Sequence, residues 1–293
     1  MNIYEHISSN TLRSWLLIII FVAFVLALAY LFAQVTGYPE LLPLAFLIAV
    51  ISVVGSYYYS DRLVLTISKA RPATKEEYAH LVNSVEGLAL AAGIPVPRIY
   101  VIDDTAPNAF ATGRDPQHAV IAVTKGLIQK LNRVEIEGVI AHEMAHIKNY
   151  DMRLLTLVAV LAGTIVLISD WIMRGFGRGI SRGRRRTENP IIVIVAIFAA
   201  VIAPFIATVI RLAISRSREF LADAQGAMLT RYPEGLASAL EKIAADTEPL
   251  EVANKATAHM YIVNPLKDIS GVLNTLFSTH PPIEERIRRL REM

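Results

Sequence analysis

Two histidines and a glutamate near the middle of the chain have the spacing of a hydrolytic metal site. His142, Glu143 and His146 form the pattern H-E-x-x-H. Residues four apart lie on the same face of a helix, so both histidines can direct a ring nitrogen at one zinc ion. Hydrolysis on zinc needs about three protein ligands, an open position for water and a base beside that water. The pattern therefore predicts two zinc ligands, His142 and His146, with Glu143 as the base.

The residues around this pattern bear on the alternative, in which the two histidines lie on a solvated helix face and bind nothing. Asn132 and Glu135 are spaced as a capping box, which predicts that a helix begins there. Apolar residues then recur at helical spacing, at Val134, Val139, Ile140, Met144 and Ile147. Such a stripe indicates a helix that packs against other elements. We therefore favour the metal site over the solvated face.

A second pair of acidic residues downstream can complete the site. Glu219 and Asp223 are four residues apart, so a helix would place both carboxylates on one face. Zinc-bound histidines usually donate their second ring N–H to a carboxylate, which fixes the ring orientation. Glu219 is thus suited to be a third ligand and Asp223 to accept that N–H. Alone, such a pair is common on solvated helices, and it gains meaning from the H-E-x-x-H pattern.

The composition indicates a membrane protein. Of the 293 residues, 54% are hydrophobic and 19% are charged, and the mean hydropathy of +0.43 is high for a soluble domain. The chain has no cysteine, which excludes disulfides and thiolate ligands. The positive charge is concentrated in the arginine-rich stretch Arg174–Arg186 rather than on a basic face with interleaved aromatic residues. This distribution argues against nucleic acid as a partner and predicts contact with anionic lipid.

Four apolar stretches are long enough to cross a bilayer as helices, since about 20 residues span about 30 Å of hydrocarbon. They are Trp15–Ala33, Leu41–Tyr59, Leu154–Met173 and Ile191–Ile210. The first is too long for the apolar core of a signal peptide, so we expect two transmembrane hairpins. The predicted organisation is an N-terminal segment (1–14), hairpin 1 (15–59), the first half of the catalytic domain (60–153), hairpin 2 with the loop 174–186 (154–210), and the second half of the domain (211–293).

The charges at the ends of these stretches bear on which side of the membrane the catalytic domain faces. Nine basic residues flank the stretches on the side of the metal motifs, and none lies in 34–40 on the opposite side. This difference favours a cytoplasmic catalytic domain, whereas the six arginines in 174–186 favour the reverse. We expect a multi-pass protein of the cytoplasmic membrane. Its second hairpin either crosses despite that charge or does not cross fully.

The first soluble half contains strand patterns, so the predicted fold class is mainly α with a small β-sheet, an α+β arrangement. Strands are expected at 98–102, 108–112 and 119–123. The simple interpretation of the last two is a hairpin. The further interpretation is an exposed strand edge at Asn108, Ala109 and Phe110 that pairs with an extended substrate.

Four motifs together carry a resemblance to a known family. In chain order they are Asn108–Gly113 (N-A-F-A-T-G), His142–Asp151 (H-E-M-A-H-I-K-N-Y-D), Ser215–Asp223 (S-R-S-R-E-F-L-A-D) and Thr279–Pro282 (T-H-P-P). Over nearly its whole length the chain resembles the HtpX family of membrane-bound heat-shock zinc metalloproteases, which is related to the CAAX prenyl endopeptidases. The resemblance implies a gluzincin-type endopeptidase with one zinc ion and with Glu219 as the third ligand. It also implies quality control of misfolded or membrane proteins, with the active site facing the cytoplasm.

The resemblance gives His280, in the T-H-P-P motif, a functional interpretation. In related proteases a histidine in this motif lies near the active site, where it can assist the binding of substrate or transition state. The common alternative is a polar residue ahead of a helix that begins with proline.

Three functions compete on these observations, and a zinc endopeptidase leads. A CAAX-type prenyl-protein endopeptidase would need an enclosed hydrophobic chamber, for which four spans are few. A non-catalytic membrane scaffold with structural zinc would usually fill all four ligand positions with protein groups. The chain has no cysteine and only seven histidines, and the presence of Glu143 separates the enzyme from the scaffold.

Overall fold

The protein is mostly helical, with two long apolar helices at its start. The computed structural model describes residues 3–36, 41–161, 216–253, 257–263, 265 and 281–293. Helix α1 comprises Ile3–Thr36 and helix α2 comprises Leu41–Ile67. Within the described residues, two stretches are long and apolar enough to cross a membrane, Ser8–Ala27 and Leu42–Ile67.

These helices are longer than the predicted spans. The first begins well before Trp15 and the second runs past Tyr59. The polar first turns of α1 belong to the helix, and Asn10 and Ser14 within them are buried against the rest of the protein. Of the predicted second hairpin, residues 154–161 are described and helical. The rest of it and the loop 174–186 lie outside the described residues.

In the part of the chain that the structure describes, further helices pack beside a small sheet. They are α3 (Ala79–Ala92), α4 (Lys125–Lys130), α5 (Arg133–Lys148), α6 (Arg216–Thr230), α7 (Pro233–Ala245) and α8 (Ile283–Arg291). Short 3-10 turns occur at Pro116–His118 and Ala258–Met260. Residues 151–161 are also helical. The prediction of a mainly α fold with a small sheet is confirmed.

Four strands within the described ranges form a mixed sheet, and β3 lies at its edge. The strands are β1 (Arg71–Pro72), β2 (Arg98–Ile102), β3 (Ala109–Thr112) and β4 (Val120–Thr124). Their order is β1-β2-β4-β3, with β2 parallel to β4 and the other two pairs antiparallel. The predicted pairing of 108–112 with 119–123 is confirmed, in a register that sets Ala109 opposite Val123.

Helix α5 runs through the centre of the domain. It packs against α3, α6, α7 and β3, so its buried surface extends around the helix rather than along the single predicted stripe. Val134, which the stripe included, is exposed at the start of the helix. The capping box is confirmed, since the Asn132 side chain accepts from the Glu135 N–H and the Glu135 carboxylate accepts from the Asn132 N–H.

Candidate metal centre

Helix α5 presents two imidazole rings one turn apart inside the domain. His142 and His146 are both buried, and their Nε2 atoms are 3.2 Å apart. The rings are nearly perpendicular, with centroids 4.7 Å apart. This is the arrangement expected when residues four apart on a helix direct ring nitrogens at a common point.

Helix α6 brings the Glu219 carboxylate to the same point. Its Oε1 lies 3.4 Å from His146 Nε2, and its Oε2 lies 3.8 Å from His142 Nε2. The approach depends on Gly226, because a Cβ atom there would be 3.0 Å from the backbone nitrogen of His142. The absence of a side chain therefore allows α6 to lie directly against α5.

The three donors fit a zinc ion in their spacing and chemistry. Among the described residues, His142, His146 and Glu219 form a group that could hold a metal ion. Zinc–nitrogen bonds of about 2.0–2.1 Å in tetrahedral geometry place neighbouring ligand atoms roughly 3.3–3.5 Å apart. The observed separations of 3.2, 3.4 and 3.8 Å are close to this range. Two imidazoles and one carboxylate leave one tetrahedral position for water, as in hydrolytic zinc sites.

A carboxylate contacts the second nitrogen of each ring. Asp223 Oδ1 lies 3.0 Å from His142 Nδ1, and Asp151 Oδ2 lies 3.0 Å from His146 Nδ1. Such contacts fix the tautomer, so that each Nδ1–H donates to the carboxylate and Nε2 is left for the metal. Sequence reasoning assigned this role to Asp223 but missed Asp151. The available signal was a carboxylate five residues after His146, where the helix could end.

The position of Asp151 depends on the turn that ends α5. Tyr150 has a φ of 60°, in the left-handed region that non-glycine residues seldom adopt. Asp151 follows directly as the first residue of the next helical stretch, and its carboxylate contacts His146 Nδ1 at 3.0 Å. The Arg153 guanidinium stacks over the Tyr150 ring at 5.3 Å and packs against this turn.

A buried arginine that sequence reasoning also missed pairs with the acidic residues of α6. Arg286 is fully buried and donates to both Asp223 oxygens, from Nε at 2.9 Å and from Nη2 at 2.7 Å. Its Nη1 donates to the Ile262 carbonyl at 3.0 Å and lies 3.6 Å from Glu219 Oε2. The signal was its position in α8, where Arg286 lies on the same helical face as Ile283 and Leu290. A charge on an apolar face needs a buried partner.

Glu143 lies beside the three donors in a small cavity. Ala111, Met152, Leu155, Met260, Tyr261 and Ile262 line the cavity together with the donors and Glu143. Its volume of about 10 Å³ is roughly the space that one water molecule needs. Burial raises the pKa of Glu143 to about 7, opposed by His146 and by a hydrogen bond from the Ala111 backbone. Glu143 is therefore a buried carboxylate that titrates near neutral pH.

The predicted substrate-contacting residues hold a segment of the chain itself. The Asn108 side chain donates to the Val263 carbonyl at 3.0 Å, and the Ile262 N–H donates to the Ala109 carbonyl at 3.0 Å. Phe110 meets Tyr261 edge to face, with centroids 5.1 Å apart. The outer edge of β3 is thus covered at Ala109 by residues 257–263. His280 lies outside the described residues.

The two histidines differ in charge when no metal is bound. Burial lowers the pKa of His142 to about 4, against the effect of Asp223. Burial also lowers the pKa of His146, but the hydrogen bond to Asp151 and the charge of Glu219 outweigh it and raise the value to about 9. At pH 7 the metal-free site thus holds a neutral His142 and a protonated His146, whose Nε2–H can donate to His142.

This asymmetry leads to a pH prediction for metal binding. His146 must lose its proton before Nε2 can coordinate, so metal binding between pH 7 and 9 should release about one proton and strengthen about tenfold per pH unit. Calorimetric titration of the metal-free protein with Zn²⁺, in two buffers of different ionisation enthalpy, measures the proton count. Removing the Asp151 charge in Asp151→Asn should shift this pH dependence downward. An affinity independent of pH from 7 to 9 would contradict the assignment.

Comparison with known proteins places the chain in a family. The model described as Peptidase family M48 matches residues 75–293. A protein named Protease HtpX homolog from Dictyoglomus turgidum is 53% identical, covering 99% of this chain and 94% of that protein. One of the same name from Thermoanaerobacter pseudethanolicus is 46% identical, covering 99% and 98%. The crystal structure of S. mikatae Ste24p shows a similar fold, with a TM-score of 0.51 and 20% identity over 98% of this chain and 67% of that one. The chain belongs to peptidase family M48.

Proposed function

We propose that His142, His146 and Glu219 hold one zinc ion and that Glu143 is the general base for peptide-bond hydrolysis. Membership of family M48 makes the chain a membrane-associated metalloprotease, and the proposal assigns its reacting groups. The observation that carries it is the triangle of donor atoms, with sides of 3.2, 3.4 and 3.8 Å, beside Glu143. A non-catalytic zinc site would not need a buried base at a water-sized cavity.

The chemistry divides between the ion and the chain. Bound at these donors, zinc would supply the positive charge that polarises the scissile carbonyl and acidifies water. Glu143 accepts a proton from the attacking water and donates it to the leaving amine. A carboxylate with a pKa of about 7 is suited to both transfers near neutral pH. The Ala111 N–H holds this carboxylate beside the donors.

Asp223 and Asp151 have a positioning role in this scheme. Each holds a ring Nδ1 at 3.0 Å and so directs the corresponding Nε2 at the ion. Arg286 in turn fixes Asp223 through two hydrogen bonds in a fork, a geometry that restricts rotation of the carboxylate. In this scheme the buried charged side chains of Asp223 in α6 and Arg286 in α8 keep His142 in the orientation that the metal needs.

The relatives favour this activity over prenyl-protein processing. Proteins named Protease HtpX homolog are 42–53% identical over nearly the whole chain. The likeness to Ste24p, at 20% identity, concerns the fold alone. We therefore keep the CAAX-type alternative as the second candidate.

The membrane arrangement is part of the proposal. We propose that a second hairpin within 154–210 joins α1 and α2 in the bilayer, and that the catalytic domain faces the cytoplasm. Nine basic residues flank the apolar stretches on that side, which is the distribution found at cytoplasmic ends. On that side the protein would degrade misfolded or membrane proteins, and on the opposite side Arg174–Arg186 would contact anionic lipid.

An extended substrate would pair with the outer edge of β3. In the antiparallel pair, alternate residues of β3 direct their backbone N–H and C=O groups toward β4. The residues between them, Ala109 and Ala111, direct these groups to the outer edge. The Ala109 carbonyl already accepts from the Ile262 N–H, and the Ala111 N–H already bonds to Glu143, which leaves the Ala111 carbonyl for the substrate. The cavity has room for about one water molecule. Residues 257–263 must therefore move from the edge before a peptide can reach Glu143.

The base assignment is tested by Glu143→Gln. The amide keeps the size of the side chain but cannot accept the proton, so we expect full zinc content and a rate at least about 100-fold lower. Zinc content and cleavage of an unfolded protein substrate are measured on the same purified samples. Glu86→Gln, an exposed change on α3, is the matched control. Similar cleavage by Glu143→Gln and by the control would refute the role of Glu143.

The edge assignment is tested by methylating the backbone of a peptide substrate, one nitrogen at a time. Only every second N–H of a paired strand points at its partner. We expect KM to rise about 3–10-fold at alternate positions, the loss of one hydrogen bond, with little effect at the positions between. Equal effects at all positions would show that the peptide binds without strand pairing.

A further inference from the structure

A buried asparagine in the first apolar helix contacts the group that holds His146. Asn10 is 2% exposed and lies at the start of the candidate span Ser8–Ala27. Its Nδ2 donates to Asp151 Oδ1 at 2.7 Å and to the Asn149 carbonyl at 2.9 Å. Burying a side-chain amide is costly unless it is hydrogen bonded. In this helix those bonds are to the end of α5 and the residues just after it, not to α1 itself.

The two oxygens of Asp151 have different partners. Oδ2 contacts His146 Nδ1 at 3.0 Å, and Oδ1 accepts from Asn10. A carboxylate bonded at both ends cannot rotate about its terminal bond without losing one contact. Asn10 therefore restricts Asp151 in the orientation that contacts the ring. The connection runs from α1 through one carboxylate to a proposed metal ligand.

Asn10 also contacts the helix that carries the third donor. Its Oδ1 accepts from Arg218 Nη1 at 2.9 Å, and Arg218 immediately precedes Glu219 in α6. Arg218 Nη1 lies 3.6 Å from Asp151 Oδ1 as well. A second contact from α1 is adjacent, since Arg153 donates to the Thr11 hydroxyl at 2.7 Å. One side chain of α1 thus joins both helices that supply the donor triangle.

We propose that Asn10 is a positioning residue for the metal centre, so that the first apolar helix is part of the catalytic site as well as a membrane segment. The inference rests on the proposed ligand set. The match to the family model begins at residue 75, so a fragment of the matched region alone would lack this group. A membrane helix that orients a ligand couples the geometry of the site to the position of that helix.

The experiment compares Asn10→Leu and Asn10→Asp with wild type in the full chain in detergent. Asn10→Asp keeps the shape but loses the amide donor and adds a charge facing Asp151. We expect both to weaken Co²⁺ binding about tenfold, at the lower end of the range for groups that hold ligands. We also expect the d–d absorption of bound Co²⁺ to change. Ser14→Ala is the matched control, because the Ser14 hydroxyl on the same buried face bonds to the Asn10 carbonyl within α1.

A purely structural role for Asn10 would give a different result. The unfolding midpoint of the metal-free variants would fall while the Co²⁺ affinity and absorption of the folded protein matched wild type, and this would overturn the proposal. If the single variants do not fold, the double variant Asn10→Asp/Asp151→Asn exchanges the two groups and restores a hydrogen bond of reversed direction. Stronger Co²⁺ binding there than in Asp151→Asn alone supports the proposal, and binding by a folded double variant no stronger than in Asp151→Asn contradicts it.

A parallel variant separates this inference from the ligand assignment. Glu219→Gln should bind Co²⁺ far more weakly than wild type if Glu219 is a ligand. Unchanged binding by Glu219→Gln would refute the ligand set. Weak binding by Glu219→Gln together with unchanged binding by both folded Asn10 variants would refute only the role of Asn10.

Discussion

Buried negative charge is the constraint on which the rest of the structure depends. Glu143, Asp151, Glu219 and Asp223 are all buried around two imidazole rings. Their charges are opposed by two buried arginines, Arg218 and Arg286. Among the described residues, four carboxylates face two guanidinium groups, an excess of two negative charges that a divalent cation would neutralise. Without the ion, protonation of His146 and the raised pKa of Glu143 offset part of it.

The side chains that stabilise these buried carboxylates come from distant parts of the chain. Arg286 belongs to α8, Arg218 to α6 and Asn10 to α1, and each forms hydrogen bonds to a carboxylate or to a residue that does so. Removing one partner of a buried charge leaves the other unpaired, at a cost of about 3–5 kcal/mol. The site and the docking of these helices are therefore mutually dependent. The docking of α6 on α5 also depends on Gly226, which has no Cβ atom where the two helix backbones are close together.

The sequence predicts those features of the site that depend on residues close together in the chain. His142 with His146, and Glu219 with Asp223, are set by helical spacing, and the capping box of α5 is also local. Asp151, Arg286 and Asn10 were missed because their roles follow from the turn at Tyr150 and from how helices dock. In a single sequence such contacts give only weak signals, for example a charged residue on an apolar helix face.

The edge of β3 is a second case in which the local pattern was predicted correctly but a tertiary contact was not. Strand pattern predicted the hairpin and its edge position. It could not predict that residues 257–263, which have a weak pattern, would cover that edge at Ala109. A pattern identifies an edge strand, but tertiary contacts decide whether the edge is open. Access to the site is therefore a property of a segment that sequence periodicity does not identify.

The most direct test of the central claim is X-ray absorption at the zinc edge of the 293-residue chain loaded with one equivalent of zinc. The donor triangle predicts four or five nitrogen and oxygen neighbours at about 2.0–2.1 Å. It also predicts outer-shell scattering from two imidazole rings, retained in Glu219→Gln with a changed first shell. A first shell of six oxygen atoms without imidazole scattering would show that the ion binds elsewhere and would contradict the account.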